Sequence, residues 1–328
     1  TLSSVLYLSI MFTNANTGWA CGEEGTILTT TNGGTTWTAQ TSGVTVNLNS
    51  IYFIDANTGW TCGVDGTILT TTNGGATWTA QTSGTTNQLK SINFVDANSG
   101  FACGASGTIL TTADGGTTWT AQTSGTTNQL NSISLVNKNL VLSCGASGTI
   151  RLTTNGGTTW TTQSSGTTND LNSIDFFDSL NAFCCGGGGV ILNSTNGGKI
   201  WSAQTSGTTT NLNSVNFTSG DDGLLCGDSG VIIITANRGV SWSSQTSGTT
   251  NNLNAIYFIN SNLAFTCGAG TTILTTANGG TTWSGLITAT VTSPISGVTY
   301  KEFLRKTEFS PFIVTKVVII SATAGQME

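Results

Sequence analysis

Residues 59–78 read GWTCGVDGTILTTTNGGATW, and close variants of this stretch recur along the chain at a spacing of 41 residues. The copies share a tryptophan, found at Trp37, Trp78, Trp119, Trp160, Trp201, Trp242 and Trp283. They also share a cysteine, found at Cys21, Cys62, Cys103, Cys144, Cys185, Cys226 and Cys267. No residue is inserted or deleted between these copies. A strict period of this length indicates a repeat architecture.

Each copy divides into four short strand-like pieces separated by turn residues. In the second copy the predicted strands are residues 50–54, 60–62, 67–70 and 77–81. Four antiparallel strands in about 40 residues make one blade of a β-propeller. Ile51 and Phe53 lie two residues apart on one face of the first strand, where we expect them to pack on a neighbouring blade. The sequence therefore predicts an all-β fold, a seven-bladed β-propeller of four-stranded antiparallel blades.

The composition agrees with this class and limits the functions. Of 328 residues, 7% are charged and none is histidine, and the net charge is −6. So little positive charge cannot neutralise many phosphates, which disfavours nucleic-acid binding. No apolar run approaches the ~20 residues of a membrane helix. The first residues lack a basic start and a cleavage site, so they do not read as a signal peptide.

The turn before each repeated tryptophan has the pattern Ser/Thr-x-Asp/Asn-x-Gly-x-Ser/Thr-Trp, from which Ile200 departs in the fifth copy. The pattern predicts a self-contained hairpin whose Asn or Asp side chain caps backbone N–H groups. Its structural positions are Asn32 and Trp37, Asn73 and Trp78, Asp114 and Trp119, Asn155 and Trp160, Asn196 and Trp201, Asn237 and Trp242, and Asn278 and Trp283. At these residues the chain resembles the Asp-box (BNR) repeat proteins. The longer repeat is similar to that of the photosystem II assembly-factor family, which implies a seven-bladed propeller over roughly residues 9–290.

Two activities of similar proteins can be checked residue by residue. The resemblance implies three arginines on a carboxylate for a sialidase, and an arginine-rich surface patch for an assembly factor. The propeller body holds Arg151 and Arg238 alone, so neither site can be built. Without histidine there is no His-assisted nucleophile, and no pair of carboxylates stands out for glycoside hydrolysis. We therefore predict that the protein is not an enzyme and binds no cofactor or metal.

The repeated cysteines are predicted to be small buried hydrophobes rather than a metal site or a disulfide ring. Free cysteine is among the most buried residue types. Equivalent positions on neighbouring blades would lie roughly 9 Å apart, beyond the ~7 Å limit between the Cα atoms of a disulfide. Cys184 precedes Cys185 and points to the opposite face of its strand. The sequence leaves open whether Cys184 is packed or is exposed and reactive.

Two further regions are candidate partner-binding surfaces. In a closed ring, the acidic residues of the turns after the Cys-Gly pair fall on one arc of one face: Glu23, Glu24, Asp65 and Asp228. Solvated acidic turns are the favoured interpretation of these residues, and a patch for a cation or a basic partner is the alternative. The repeat pattern stops after the last tryptophan, so residues 1–289 are predicted to form the propeller and residues 290–297 a linker. Residues 298–328 are predicted to be a docking segment whose strand presents Phe312, Val314, Val317 and Ile319.

These features predict a non-enzymatic structural or adhesive scaffold, attached to a protein partner through residues 298–328. The Thr-, Ser-, Asn- and Gly-rich composition with few lysines favours an extracellular or cell-surface location, with the periplasm as a further option. The alternative is a carbohydrate- or protein-binding propeller, either lectin-like or an adaptor similar to an assembly factor. A glycan ligand belongs to this alternative.

Overall fold

The computed structural model of the chain describes residues 5–218 and 221–285. In these ranges 28 β-strands form seven antiparallel sheets of four strands, and the strands of each sheet follow one another in chain order. No α-helix occurs in the described part of the chain. The predicted seven-bladed, all-β propeller is thereby confirmed. The predicted linker and docking segment, with Phe312, Val314, Val317 and Ile319, lie outside the described residues.

Each blade is formed by one copy of the repeat. Blade 1 has β1 (Tyr7–Phe12), β2 (Gly18–Gly22), β3 (Ile27–Thr30) and β4 (Thr38–Gln40), and blade 2 has β5 (Leu48–Phe53), β6 (Gly59–Gly63), β7 (Ile68–Thr71) and β8 (Thr79–Gln81). Blade 3 has β9 (Leu89–Phe94), β10 (Gly100–Gly104), β11 (Ile109–Thr112) and β12 (Thr120–Gln122), and blade 4 has β13 (Leu130–Leu135), β14 (Val141–Gly145), β15 (Thr149–Thr153) and β16 (Thr161–Gln163). Blade 5 has β17 (Leu171–Phe176), β18 (Ala182–Gly186), β19 (Ile191–Ser194) and β20 (Ser202–Gln204), and blade 6 has β21 (Leu212–Phe217), β22 (Gly223–Gly227), β23 (Ile232–Thr235) and β24 (Ser243–Gln245). Blade 7 has β25 (Leu253–Phe258), β26 (Ala264–Gly268), β27 (Ile273–Thr276) and β28 (Ser284–Gly285).

A short 3-10 turn joins the second and third strands in six of the described blades. These turns are Glu23–Gly25, Val64–Gly66, Ala105–Gly107, Ala146–Gly148, Gly187–Gly189 and Asp228–Gly230. The middle residue is in the left-handed region, as Asp65 is with φ of 56°. The strands predicted for the second copy lie within two residues of β5 to β8 at each end. The alternation of apolar and polar residues therefore predicted the positions of these four strands to within two residues.

The first strand of each blade is the innermost one, because consecutive first strands pack on one another around the ring, from β1 against β5 to β25 against β1. Such a strand has a strand partner on one edge alone, so the N–H and C=O groups on its other edge need other partners. Side chains of the preceding blade supply them. Ser50 Oγ accepts the Ile92 N–H at 3.2 Å, and Asn49 Nδ2 donates to Leu89 O at 2.6 Å.

This pair of side-chain bonds recurs at most of the seams between blades. The serine bond is made by Ser9, Ser50, Ser91, Ser132, Ser173 and Ser214. The asparagine bond is made by Asn49, Asn131, Asn172, Asn213 and Asn254. The repeat period of 41 residues thus fixes the polar contacts between blades as well as the strands within them.

The apolar core is divided among the seams, each cluster drawing residues from two neighbouring blades. At the seam between blades 2 and 3, the Trp60 ring stacks on the Phe94 ring with centroids 3.6 Å apart, and Trp119 meets Phe94 edge-on at 5.9 Å. Gly100 is required beside them, because the Phe94 ring occupies the space that a Cβ atom would need. The first-strand residues Ile51 and Phe53 are buried at their own seam, as predicted.

Blades 7 and 1 close the ring by side-chain packing. Phe12 stacks on Phe265 with ring centroids 3.9 Å apart. Asn254 Nδ2 donates to Tyr7 O at 2.8 Å, which retains the asparagine bond of the other seams. The serine position of blade 7 is Ala255, so this seam has no hydroxyl to accept the N–H of Ile10. The closing seam is therefore weaker in polar contacts than its neighbours.

Replacing Ala255 by serine is expected to strengthen the closing seam. The new hydroxyl would accept the Ile10 N–H as Ser50 accepts that of Ile92, and a net hydrogen bond contributes about 0.5–1.5 kcal/mol. We expect Ala255→Ser to raise the free energy of unfolding by this amount in urea denaturation. Ser50→Ala, the matched control, should lower it by a similar amount. Equal stability of Ala255→Ser and the parent chain would contradict the assigned role of these serines.

Candidate functional site

The loops of the propeller lie on two opposite faces. The box face carries the connections between strands one and two and between strands three and four of each blade. These two loops are joined there, since Gly74 N–H donates to Asn57 O at 2.8 Å. The turn face carries the 3-10 turns and the connections between blades, which meet where Glu24 N–H donates to Asn47 Oδ1 at 3.2 Å.

The predicted Asp-box hairpins form on the box face with their polar groups turned inward. Asn73 Oδ1 accepts the Thr77 N–H at 3.0 Å, and Thr71 Oγ1 accepts the Gly75 N–H at 2.9 Å. The same carboxamide or carboxylate bond is made by Asn32, Asp114, Asn155, Asn196, Asn237 and Asn278. Ile200 has no hydroxyl group to accept from the Asn196 side-chain amide, as Thr77 Oγ1 accepts from Asn73 Nδ2, and Ile200 is 68% exposed. These hydrogen bonds all join residues of the same hairpin. The Asp-box side chains therefore stabilise the blade, and their oxygens are not available to a ligand.

The box tryptophans pack at the seam with the preceding blade, but their indole N–H groups differ. Trp78 and Trp119 donate to a glutamine of the preceding blade at 3.3 Å. Trp201 and Trp283 donate at 2.9 Å to a glycine carbonyl of their own hairpin. The buried Nε1 atoms of the other three have no hydrogen-bond partner: Trp37, Trp160 and Trp242. The seams are therefore not equivalent, although the repeat is strict.

The four acidic residues predicted to form an arc all lie on the turn face, on blades 6, 1 and 2. Glu23 Oε2 accepts the Leu6 N–H at 3.3 Å. Asp228 accepts from the side-chain amides of Asn211 and Asn213 at 3.0 and 2.9 Å. Glu24 and Asp65 are exposed. No group of three metal-ligating side chains occurs in residues 5–218 and 221–285.

The cysteines are buried, as expected for small hydrophobes. Cys21 Sγ donates to Leu48 O on the next blade at 3.3 Å, and Cys185 makes the equivalent contact with Leu212 O at 3.7 Å. Burial raises the pKa of the Cys21 thiol to about 12, which suppresses the reactive thiolate. Cys184, whose exposure the sequence left open, is buried beside Cys144 at the seam between blades 4 and 5.

A carboxyl group that the sequence analysis did not single out faces the ring axis. The fifth residue of each first strand occupies equivalent places around the axis: Met11, Tyr52, Asn93, Ser134, Asp175, Asn216 and Tyr257. Asp175 interacts electrostatically with Tyr52, three blades away, and with Tyr257, two blades away. Asp175 directly follows the buried Ile174 in its strand, so its side chain points to the other face. The alternation along the first strand could therefore have identified this position from the sequence.

Burial raises the pKa of Asp175 to about 7, although its carboxylate accepts the Phe217 N–H at 2.9 Å and the Asn216 amide at 3.2 Å. The unfolded chain releases this proton near pH 4, so the folded chain binds more protons between about pH 4 and 7. The free energy of unfolding therefore falls as the pH rises through this range. The side chain keeps part of its surface accessible to solvent, which screens the charge and limits the loss to about 1–2 kcal/mol.

Asp175→Asn is expected to remove this pH dependence. The amide stays neutral and its Oδ1 accepts the Phe217 N–H, as Asn216 Oδ1 accepts that of Phe258 at 2.8 Å. We expect the variant to be about 1–2 kcal/mol more stable than the parent chain at pH 8, and the two to converge towards pH 4. Urea denaturation at several pH values measures the difference. A difference that is constant from pH 4 to 8 would contradict the raised pKa.

Grooves of about 900 and 790 Å³ open on the turn face at blades 5 and 3. They are lined by residues 188–192 and 203–209 in blade 5, and by residues 106–110 and 121–127 in blade 3. Leu192 and Leu110 lie at their inner ends. The other lining residues are mainly glycine, serine and threonine, and none is charged. Such walls offer hydroxyl and backbone groups suited to an uncharged, extended chain.

The outer strands of blades 3 and 5, β12 and β20, border these grooves. β20 pairs with β19 on one side and has no strand partner on the other within the described residues. Ser202 and Ala203 on this strand are exposed. The accessible binding features are therefore neutral grooves and open strand edges on the rim.

No helix in the described ranges is long and apolar enough to cross a membrane.

Known proteins similar to this chain share its propeller. The profile of the family described as photosynthesis system II assembly factor YCF48 matches residues 2–85 and 72–168, which is just over half of the chain. The structure of YCF48 bound to a D1 peptide is 20% identical, with a TM-score of 0.71 over 84% of this chain and 93% of that chain. YCF48 from Cyanidioschyzon merolae is 19% identical, with a TM-score of 0.71 over 84% of this chain and 97% of that chain.

A more distant likeness concerns an enzyme. The GH74 xyloglucanase of Xanthomonas campestris is 11% identical, with a TM-score of 0.69 over 85% of this chain and 54% of that chain. At these identities the solved structures show the fold alone. No curated protein sequence matches the chain significantly. The family profile carries the assignment: this chain belongs to the photosystem II assembly factor YCF48 family of BNR-repeat propellers.

Proposed function

We propose that the propeller is a non-enzymatic adaptor that binds an extended segment of another protein. The observation that carries the proposal is family membership, together with the YCF48 relative whose structure contains a D1 peptide. The comparisons favour this adaptor, the alternative of the sequence analysis, over the cell-surface scaffold. The extracellular location and the attachment through residues 298–328 stay predictions.

The turn-face grooves at blades 3 and 5 are the proposed binding surface. An extended peptide needs partners for its backbone N–H and C=O groups, and an open strand edge supplies them by β-augmentation. The groove beside β20 adds neutral hydroxyl walls and the buried side chain of Leu192 at its inner end. The exposed side chain of Ala203 leaves room over the strand. Neutral walls favour recognition of backbone and apolar side chains over charged ones.

The arrangement of the carboxyl groups does not favour glycoside hydrolysis. Hydrolysis of a glycoside uses two carboxyl groups on either side of one bond. Among the seven axis-facing positions that include Asp175, one carries a carboxyl group. Asp55 and Asp96 instead accept backbone N–H groups of their own turns at 2.7–2.8 Å. These contacts agree with a binding role for the propeller.

Filling the grooves is expected to block peptide binding. Phage-displayed random peptides would be selected on the full chain, with the D1 peptide of the relative as a second probe, and affinities measured by calorimetry. We expect Ala203→Trp and Ala121→Trp to weaken binding at least about tenfold, because the indole occupies the groove. Ala97→Trp, on the opposite box face, should bind as the parent chain does. Selected peptides that lose affinity in Ala97→Trp alone, or an absence of binding peptides, would contradict the proposal.

A further inference from the structure

Blade 4 departs from the repeat at one cross-strand pair, in which the residue on the third strand is buried and its partner on the fourth strand is exposed. The residue that directly follows the repeated isoleucine of the third strand is aliphatic in the other blades: Leu28, Leu69, Leu110, Leu192, Ile233 and Leu274. Blade 4 has Arg151 there, paired across the sheet with Thr162. The facing residue is alanine in four blades, at Ala39, Ala80, Ala121 and Ala203. An arginine–threonine pair has therefore replaced a leucine–alanine pair.

The Arg151 side chain is 5% exposed and only partly satisfied. Its Nη1 donates to Thr162 Oγ1, and its Nη2 donates to Trp160 O at 3.3 Å. Nη2 also lies against Gly125 in the connection from blade 3, where a Cβ atom would collide with it. The Nε atom is buried and has no hydrogen-bond partner. One N–H of the guanidinium thus stays without an acceptor.

No carboxylate balances this buried charge. Within the described residues the ion pair found at 4 Å or less joins Arg238 and Asp221, on blade 6. Burial lowers the pKa of Arg151, yet a guanidinium stays protonated at neutral pH. Asp170 lies in the connection that follows blade 4, on the turn face. Its Oδ1 accepts the Ser147 N–H at 2.8 Å. A buried cation without a counter-charge costs free energy that an anion from solution would recover.

A groove leads to this position. Its counterparts at blades 3 and 5 extend inward to Leu110 and Leu192, which correspond to Arg151. The groove at blade 4 measures about 600 Å³ and is lined by residues 147–148 and 163–168. Arg151 is not among its lining residues, whereas the corresponding Leu110 and Leu192 line the other two grooves. The exposed Ser164 and Thr168 line its outer part.

We propose that the groove at blade 4 is a binding site for a carboxylate group, with Arg151 as its anchor. The planar guanidinium matches the two oxygens of a carboxylate, and its free Nε–H supplies a charge-assisted hydrogen bond. Binding at the groove would require the guanidinium to turn away from Gly125, against which its Nη2 lies. This site goes beyond the proposed peptide binding, because a small carboxylate needs no protein partner to occupy it.

Titration of the full chain with sodium acetate at constant ionic strength, followed by NMR of ¹⁵N-arginine, tests the proposal. The chain has three arginines, so the Arg151 Nε–H signal can be assigned with Arg151→Lys. We expect this signal to move downfield and to saturate as the proton gains an acceptor. The exposed Arg238, paired with Asp221 at 2.6 Å, is the internal control. An Arg151 signal that moves no more than that of Arg238 overturns the site.

The double variant Arg151→Leu with Thr162→Ala restores the pair of the other blades, so it is expected to fold. Acetate should raise the melting temperature of the parent chain and leave that of the double variant unchanged. Arg151→Lys should bind acetate about tenfold more weakly, because an ammonium lacks the two parallel N–H donors of a guanidinium. An unchanged acetate response in the double variant overturns the role of Arg151. A parent chain that responds to inorganic phosphate and not to acetate overturns the carboxylate assignment. Neither readout involves a peptide, so these outcomes are independent of the adaptor proposal.

Discussion

The first strand of each blade has an edge without a strand partner at the centre of the ring, and the rest of the structure depends on how that edge is satisfied. At most seams a serine hydroxyl and an asparagine amide from the preceding blade bond its N–H and C=O groups, as Ser50 and Asn49 do for β9. Buried backbone groups left unpaired would cost free energy at every seam. This polar contact sets the distance and register between blades, on which the aromatic stacking farther out relies.

The apolar contacts reinforce the same spacing. Trp60 stacks on Phe94 because the preceding strand edge has been brought into register, and Gly100 leaves room for that ring. Since each cluster is shared by two blades, a single copy of the repeat could not bury its own apolar face. Closure of the ring therefore completes the core of blades 7 and 1, where Phe265 packs on Phe12.

The groups available for binding are those that the repeat does not use to stabilise the blades and the seams. The Asp-box oxygens, the cysteines and two of the four acidic turn residues are engaged in the scaffold, as Asn73 and Asp228 illustrate. The outer strand edges and the neutral grooves of the turn face stay accessible. The proposed recognition of a protein segment would use such features without any titratable group. Arg151 differs from them, because its charge is buried where every other blade places an aliphatic residue.

The sequence by itself determined the number of blades, the strands within them and the burial of the cysteines. These follow from a strict period and from alternation along a strand, which are local properties that one copy such as residues 48–81 displays. The tertiary structure alone decided which polar groups find partners. Burial in the closed ring raises the pKa of Asp175, and the Nε–H of Arg151 finds no acceptor among the described residues. The physical reason is that residues far apart in the chain share one axis or one seam only after the ring has closed.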